Sequence, residues 1–167
     1  MTTNIITIST DIEYGTKESN FNPHFSSFSR QRLKENLSFY ISQFIRATGN
    51  ALNDRTIDTN KPFAIIKILD INKNIITNIE LYNSSIYSTI CKCMLPDNER
   101  FFEEVTISTI SSAHKRDKSF NSKIEDLVNI IEKYLYFIAL KDYVSNEDID
   151  ANERFTYKIL LNELGFA

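Results

Sequence analysis

The sequence is poor in the residues from which most phosphate, metal and disulfide chemistry is built. It has three glycines, three prolines, two cysteines, two histidines and no tryptophan among 167 residues. Gly15, Gly49 and Gly165 are too scattered for successive backbone amides to cradle a phosphate, which excludes nucleotide chemistry of the P-loop or dinucleotide-fold type. A tetrahedral zinc site needs four ligands, so Cys91, Cys93, His24 and His114 would all have to converge. On a helix, positions 91 and 93 would point about 200° apart, which defeats shared coordination. No metal and no cofactor is therefore expected.

The two cysteines make no disulfide framework, and the polar start Met1–Thr2–Thr3–Asn4 leads into no apolar stretch of secretory type. Reducing cytosol is the expected compartment. The longest strongly apolar run, Tyr134 to Leu140, falls far short of the roughly 20 residues that span a bilayer, so no membrane segment is expected. A Cys–His114 nucleophile pair would need a depressed thiol pKa and a convergence that spacing does not supply. The paired acids Glu103–Glu104 and Glu147–Asp148–Asp150 read as solvated groups, the second beside a helix start where acids favour the macrodipole. No catalytic residue is legible.

What is abundant is Ile, Asn, Phe, Tyr and Ser, a bias that follows AT-rich codons and suggests a bacterium, phage or similar element of low GC content. With 42% hydrophobic and 25% charged residues, the chain has the composition of an ordinary globular domain. Its net charge of −3 gives no global field to gather nucleic acid or an anionic membrane.

Asn4 to Ser9 alternates weakly and reads as a short strand, and Asp11 to Ser29 reads as a polar loop. Within that loop Phe21, Phe25 and Phe28 recur at near-helical spacing and form a candidate partner-binding arm, or else cover the edge of the core. Leu33, Leu37, Tyr40, Ile41, Phe44 and Ile45 mark one face of a helix, with Ser29 as N-cap and Gly49 as its stop. Arg30, Arg32, Lys34 and Arg46 lie off that stripe and make its outer side basic.

Phe63–Ile71 and Ile75–Tyr82 read as a hairpin around Asn72, Lys73 and Asn74. A two-residue Lys73–Asn74 loop would set Ile68 against Ile79 and Ile66 against Leu81 on one face. Ile86, Tyr87, Ile90, Cys91, Met94 and Leu95 fit a short helix, and Phe101–Ile110 a third strand. The strongest helix opens at Asn121 or Ser122 and carries Ile124, Leu127, Val128, Ile131 and Leu135; a last amphipathic helix runs through Phe155 and Ile159 to Gly165.

These elements make an α+β fold: a small antiparallel sheet built on a β-hairpin (about 63–83), packed against several helices including a long central one (about 121–143). Residues 1–29 read as an N-terminal strand with a polar loop or arm, and 30–167 as a single α+β domain. The function that survives these exclusions is a non-enzymatic protein-binding or regulatory module of the inhibitor, immunity or phage-encoded host-modifying type. Its partner is expected to be another protein, with Phe21, Phe25 and Phe28 at the contact. The alternative is a nucleic-acid-associated protein, using a basic patch of Lys115, Arg116, Lys118 and Lys123 with Phe120 interleaved, at the head of the long helix.

Overall fold

The computed structural model describes residues 3–12, 26–51, 59–85, 88–94, 101–108 and 118–144, and Asn152, Phe155, Lys158 and Ile159 beyond them. Seven elements follow in chain order: β1 (Asn4–Ser9), α1 (Ser27–Ala51), β2 (Ala64–Leu69), β3 (Ile75–Ser85), β4 (Ser88–Met94), β5 (Phe101–Ser108) and α2 (Lys118–Val144). The strands form one sheet in sequential order, β1-β2-β3-β4-β5.

The sheet is mixed, not antiparallel as expected: β1 runs parallel to β2, and the remaining pairs are antiparallel. A parallel pair cannot be closed by a tight turn and needs a crossover, which α1 provides between β1 and β2. Two continuous helices, not several, stand among the described residues. Of the expected last helix, Asn152, Phe155, Lys158 and Ile159 are helical and exposed, and the rest lies outside the described residues.

Strand alternation decides which side of the sheet is covered. Ile66, Ile68, Ile79, Leu81, Cys91 and Cys93 all point to one face and are fully buried there. Ile65, Lys67, Glu80, Tyr82, Ile90 and Lys92 point to the other face and are only half-buried. The covered face meets the apolar stripes of α1 (Leu33, Leu37, Ile41, Ile45) and α2 (Ile124, Leu127, Val128, Ile131, Leu135), making one continuous core. α2 packs on β4, β5 and α1.

The hairpin keeps the expected faces but shifts the expected pairing by two residues, so that Ile66 opposes Ile79 and Ile68 opposes Thr77. A two-residue shift preserves facing because the side-chain period is two. The shift comes from a longer loop. Lys73 N–H donates to the Asp70 carbonyl at 3.1 Å and Asp70 N–H to the Asn74 carbonyl at 2.9 Å, with Lys73 in the left-handed region at φ 66. The Asp70 carboxylate accepts the Asn72 and Asn74 amides at 2.9 and 2.8 Å, satisfying backbone donors that the turn leaves over.

Of the segment expected to be a helix at 86–95, the described part, Ser88–Met94, is instead strand β4, paired on both sides. Its apolar spacing fits a helical template, but Thr89, Cys91 and Cys93 alternate into the core while Ile90 and Lys92 alternate out. Over seven residues both periods fit, and pairing with neighbouring strands decides.

α1 starts earlier than its expected Ser29 cap. Ser26 fills that role, its hydroxyl accepting the Ser29 amide at 3.1 Å and its carbonyl the Arg30 amide at 2.9 Å. Ser29 is buried and donates instead to the Asp11 carboxylate at 2.8 Å, tying the residues after β1 to the head of α1. The helix runs through Gly49 to Ala51, so Gly49 does not end it. α2 likewise starts at Lys118, a turn before the expected Asn121 or Ser122.

Candidate functional site: the outer face of the first helix

A solvated helix face next to a packed core ordinarily carries polar residues. The outer face of α1 departs from this at two positions, because Phe28 is 64% exposed and Phe39 is 58% exposed. At about 100° per residue, Phe28, Arg32, Phe39 and Arg46 fall within an arc of about 40°, and the two rings stand about 16 Å apart along the axis. The stripe therefore alternates aromatic ring and guanidinium over five turns or so.

These side chains are partly organised before any partner arrives. The Arg32 guanidinium carbon sits 5.5 Å from the Phe28 ring centroid, a cation–π arrangement that leaves the outer edges of both groups accessible. Phe39 meets Tyr40 edge to face, with centroids 5.2 Å apart and planes at 81°. Tyr40 itself packs on the core, so it steadies the Phe39 ring.

The cations of α1 divide into two sets. Arg30 reaches across to α2, donating to Glu125 at 2.5 Å and also to Glu132 and Asn129, while Lys34 meets Glu125 at 2.9 Å. The Arg30 and Lys34 hydrogen bonds hold the Glu125 carboxyl below its usual range. These contacts staple the two helices. Arg32 and Arg46, by contrast, have no ion pair among the described residues and face outward.

Alongside the stripe, between α1 and the start of α2, lies an open groove of about 430 Å³. Its walls include Lys34, Phe39, Ser42, Arg46, Asn121 and Ile124. Ser42 is 6% exposed, and its hydroxyl oxygen has no hydrogen-bond partner.

Two other surfaces are internally satisfied. On the half-buried sheet face Lys92 stands 4.8 Å from the Tyr82 ring centroid, and the Tyr82 hydroxyl donates to Glu80 at 2.6 Å. Burial, then the Glu80 hydrogen bond and charge, push the Tyr82 hydroxyl up to about 12, so it stays protonated at neutral pH. Between β5 and α2 a second groove gathers Glu103, Glu104 and Asp126, with Lys133 donating to Glu103 at 2.8 Å. No His, Cys, Asp and Glu cluster among the described residues could hold a metal ion, and no described helix is long and apolar enough to cross a membrane.

The sequence-derived sites are placed only in part. Phe28 is the exposed aromatic of the first turn of α1, while Phe21 and Phe25 lie outside the described residues. Of the basic patch, Lys118 opens α2 and Lys123 is half-buried on it; Lys115 and Arg116 lie outside the described residues. Phe120 is 2% exposed and belongs to the core, so it presents no ring for a base to stack on. Phe39 was not singled out from sequence, although the signal was there: it is an aromatic off the apolar stripe of a well-marked helix. No family model matches the chain, and neither a curated protein nor a solved structure resembles it at a significant level.

Proposed function

We propose that the protein is a non-enzymatic protein-binding module whose docking face is the outer stripe of α1, and that it takes an acidic partner segment bearing apolar side chains. The observation that carries this reading is the pair of exposed rings, Phe28 and Phe39, on one helix face. Burying the exposed parts of both rings is worth roughly 2–4 kcal/mol. Helix faces of this kind are read by a partner through aromatic anchors, with the surrounding polar groups setting register.

Charge complementarity supports the choice of partner. With Arg30 and Lys34 paired to α2, the outer face of α1 presents Arg32 and Arg46 beside the single acid Glu35, within a chain whose net charge is −3. A partner carboxylate would meet Arg32 or Arg46 beside a ring that excludes water, where the pair is stronger than in bulk solvent. The expected aromatic arm, Phe21 and Phe25 with Phe28, would extend the same contact in the N-terminal direction. Such a module acts by occupying its partner's surface, as inhibitors and immunity proteins do. The free thiols Cys91 and Cys93 support a reducing, cytoplasmic setting.

The test is a titration. A protein co-purified with the full chain from its native cells is produced separately and titrated by calorimetry against the wild type and the Phe28→Ala/Phe39→Ala double variant. Because both rings are exposed, the variant keeps its melting temperature, and affinity falls by tenfold or more. Unchanged affinity sinks the reading. So does binding of single-stranded DNA or RNA to this face with a steep salt dependence, which would favour the nucleic-acid alternative.

A further inference from the structure

We infer that the groove between α1 and the first turns of α2 is a binding site for a small organic anion. In this site Arg46 takes the charge, Ser42 supplies a hydrogen bond, and Phe39 holds an apolar body. The inference goes beyond the docking face and stands whether or not a protein partner binds there.

Ser42 is the starting point. A serine inside a helix ordinarily returns its hydroxyl to the carbonyl one turn back, or turns it to water. Ser42 does neither: it is 6% exposed and its oxygen has no partner. A buried hydroxyl left unsatisfied is destabilising, and alanine would fill this helical position without that cost. Ser42 lines the groove, so a turn of its hydroxyl toward the opening would let an entering group satisfy it.

Electrostatics select the sign of that group. Three charged residues line the groove: Lys34, Glu35 and Arg46. Lys34 is matched by Glu125 at 2.9 Å, while Glu35 keeps its charge, hydrogen-bonded to the neutral Gln31 amide at 3.1 Å, about 16 Å along the helix axis from Arg46. Arg46 remains unmatched among the described residues. It stands one helical turn from Ser42, where side chains come within about 6 Å, so one anionic group can reach both. The adjoining start of α2 has no acidic residue in its first turn, and its positive dipole end therefore adds to the attraction.

Size and lining narrow the class further. The volume of about 430 Å³ lies in the range of small-molecule sites. Phe39 gives it an apolar wall, and Asn121 and Gln43 can hold further polar groups. A monoanion with an aromatic or branched aliphatic body fits these features better than a bare inorganic ion or a polyanion.

The experiment is a ¹⁵N-correlated NMR titration of the full chain with sodium benzoate, with benzamide as its neutral counterpart and inorganic phosphate as the bare anion. Benzoate is expected to shift the amides of Phe39–Arg46 and Asn121–Ile124 saturably, with benzamide about tenfold weaker. Arg46→Gln should weaken benzoate about tenfold, and Ser42→Ala several-fold while leaving the melting temperature equal or higher. Phosphate shifting the same amides more weakly than benzoate fits the apolar surface of Phe39; phosphate binding more tightly overturns the assignment of an organic anion. Absence of saturable shifts with benzoate at tens of millimolar, or equal affinity of Arg46→Gln and wild type, overturns the site itself. Arg46 is exposed and Ser42→Ala is expected to lose no stability, so a weakened benzoate response in either variant reports on binding and not on unfolding.

Discussion

Cys91 and Cys93 lie next to each other on the covered face of β4, both fully buried. Cys91 sits between Leu81 and Val105, and Cys93 between Ile79 and Glu103. Burial pushes the Cys91 thiol up to about 12, and pushes Cys93 well above its ordinary value with the Cys91 and Glu103 charges adding. Neither is a nucleophile at neutral pH. Iodoacetamide at pH 8 should leave both unmodified in the folded protein and alkylate both in denaturant; alkylation of the folded protein at the rate of a small thiol would contradict the burial. The raised folded-state values also fix a pH window. Their contribution to stability is intact below the ordinary thiol value of 9.0 and is lost as pH rises from there toward 12. Tyr82, raised from 10.0 to about 12, loses its contribution within the same window. Melting temperature should therefore fall above pH 9, and less steeply in a Cys91→Ala/Cys93→Ala variant.

Ile131 stands at the centre of the α2 stripe with no exposed surface. Truncation to Ala leaves a cavity between the helices and the sheet, and should cost about 2–5 kcal/mol. Urea unfolding measures it, and a cost below about 1 kcal/mol would mean that the core can collapse around the missing atoms.

The hairpin turn supplies a pair of opposite effects. Lys73 holds a left-handed backbone at φ 66, where a side chain is disfavoured, so Lys73→Gly should stabilise by about 0.5–1 kcal/mol. Asp70→Ala removes the acceptor of two loop amides and should destabilise by about 1–3 kcal/mol. Thermal melts of the two variants should move in opposite directions; a loss of stability in Lys73→Gly would show that the lysine side chain makes up for its backbone conformation.

What could be read from the sequence follows the length over which one period repeats. α1 and α2 sustain a 3.6-residue pattern for several turns, and their inward residues, Leu33 to Ile45 and Ile124 to Leu135, were legible one by one. The inward faces of β2 and β3 were legible too, since Ile66, Ile68, Ile79 and Leu81 could not all be buried in any other parity. β4 was not, because seven residues satisfy both periods and only its pairing with β3 and β5 decides between them. The same misreading placed Cys91 and Cys93 on opposite sides of a helix, whereas the pleat puts them side by side. The parallel pairing of β1 was implicit in a strand, a helix and a strand in succession, but only the sheet shows that β1 joins β2. Of the candidate site, Phe28 was legible as an aromatic without a place in the core. The groove beside Phe39 was not, since it exists only once α2 lies against α1.

Arg30 links the two helices through three acceptors at once, and this makes helix packing sensitive to acid. Its guanidinium donates to Glu125 at 2.5 Å and also to Glu132 and Asn129, in an environment where the Arg30 side chain is 26% exposed. The Arg30 hydrogen bond, followed by that of Lys34, lowers the Glu125 pKa from its ordinary 4.5. A depressed carboxylate contributes stability that is present above the unfolded value and is lost as pH falls through the folded one. Because Glu125 is 39% exposed, solvent screens the interaction, and Arg30→Ala should cost only on the order of 1 kcal/mol at pH 7. The cost should shrink as pH falls below 4.5 and as salt rises. Arg30→Lys should recover part of it, since one ammonium group cannot fork to three partners. Chemical unfolding at pH 7 and pH 3 on wild type and both variants measures these differences; an Arg30→Ala cost that is equal at the two pH values would show that the residue acts through packing of its aliphatic stem and not through its charge.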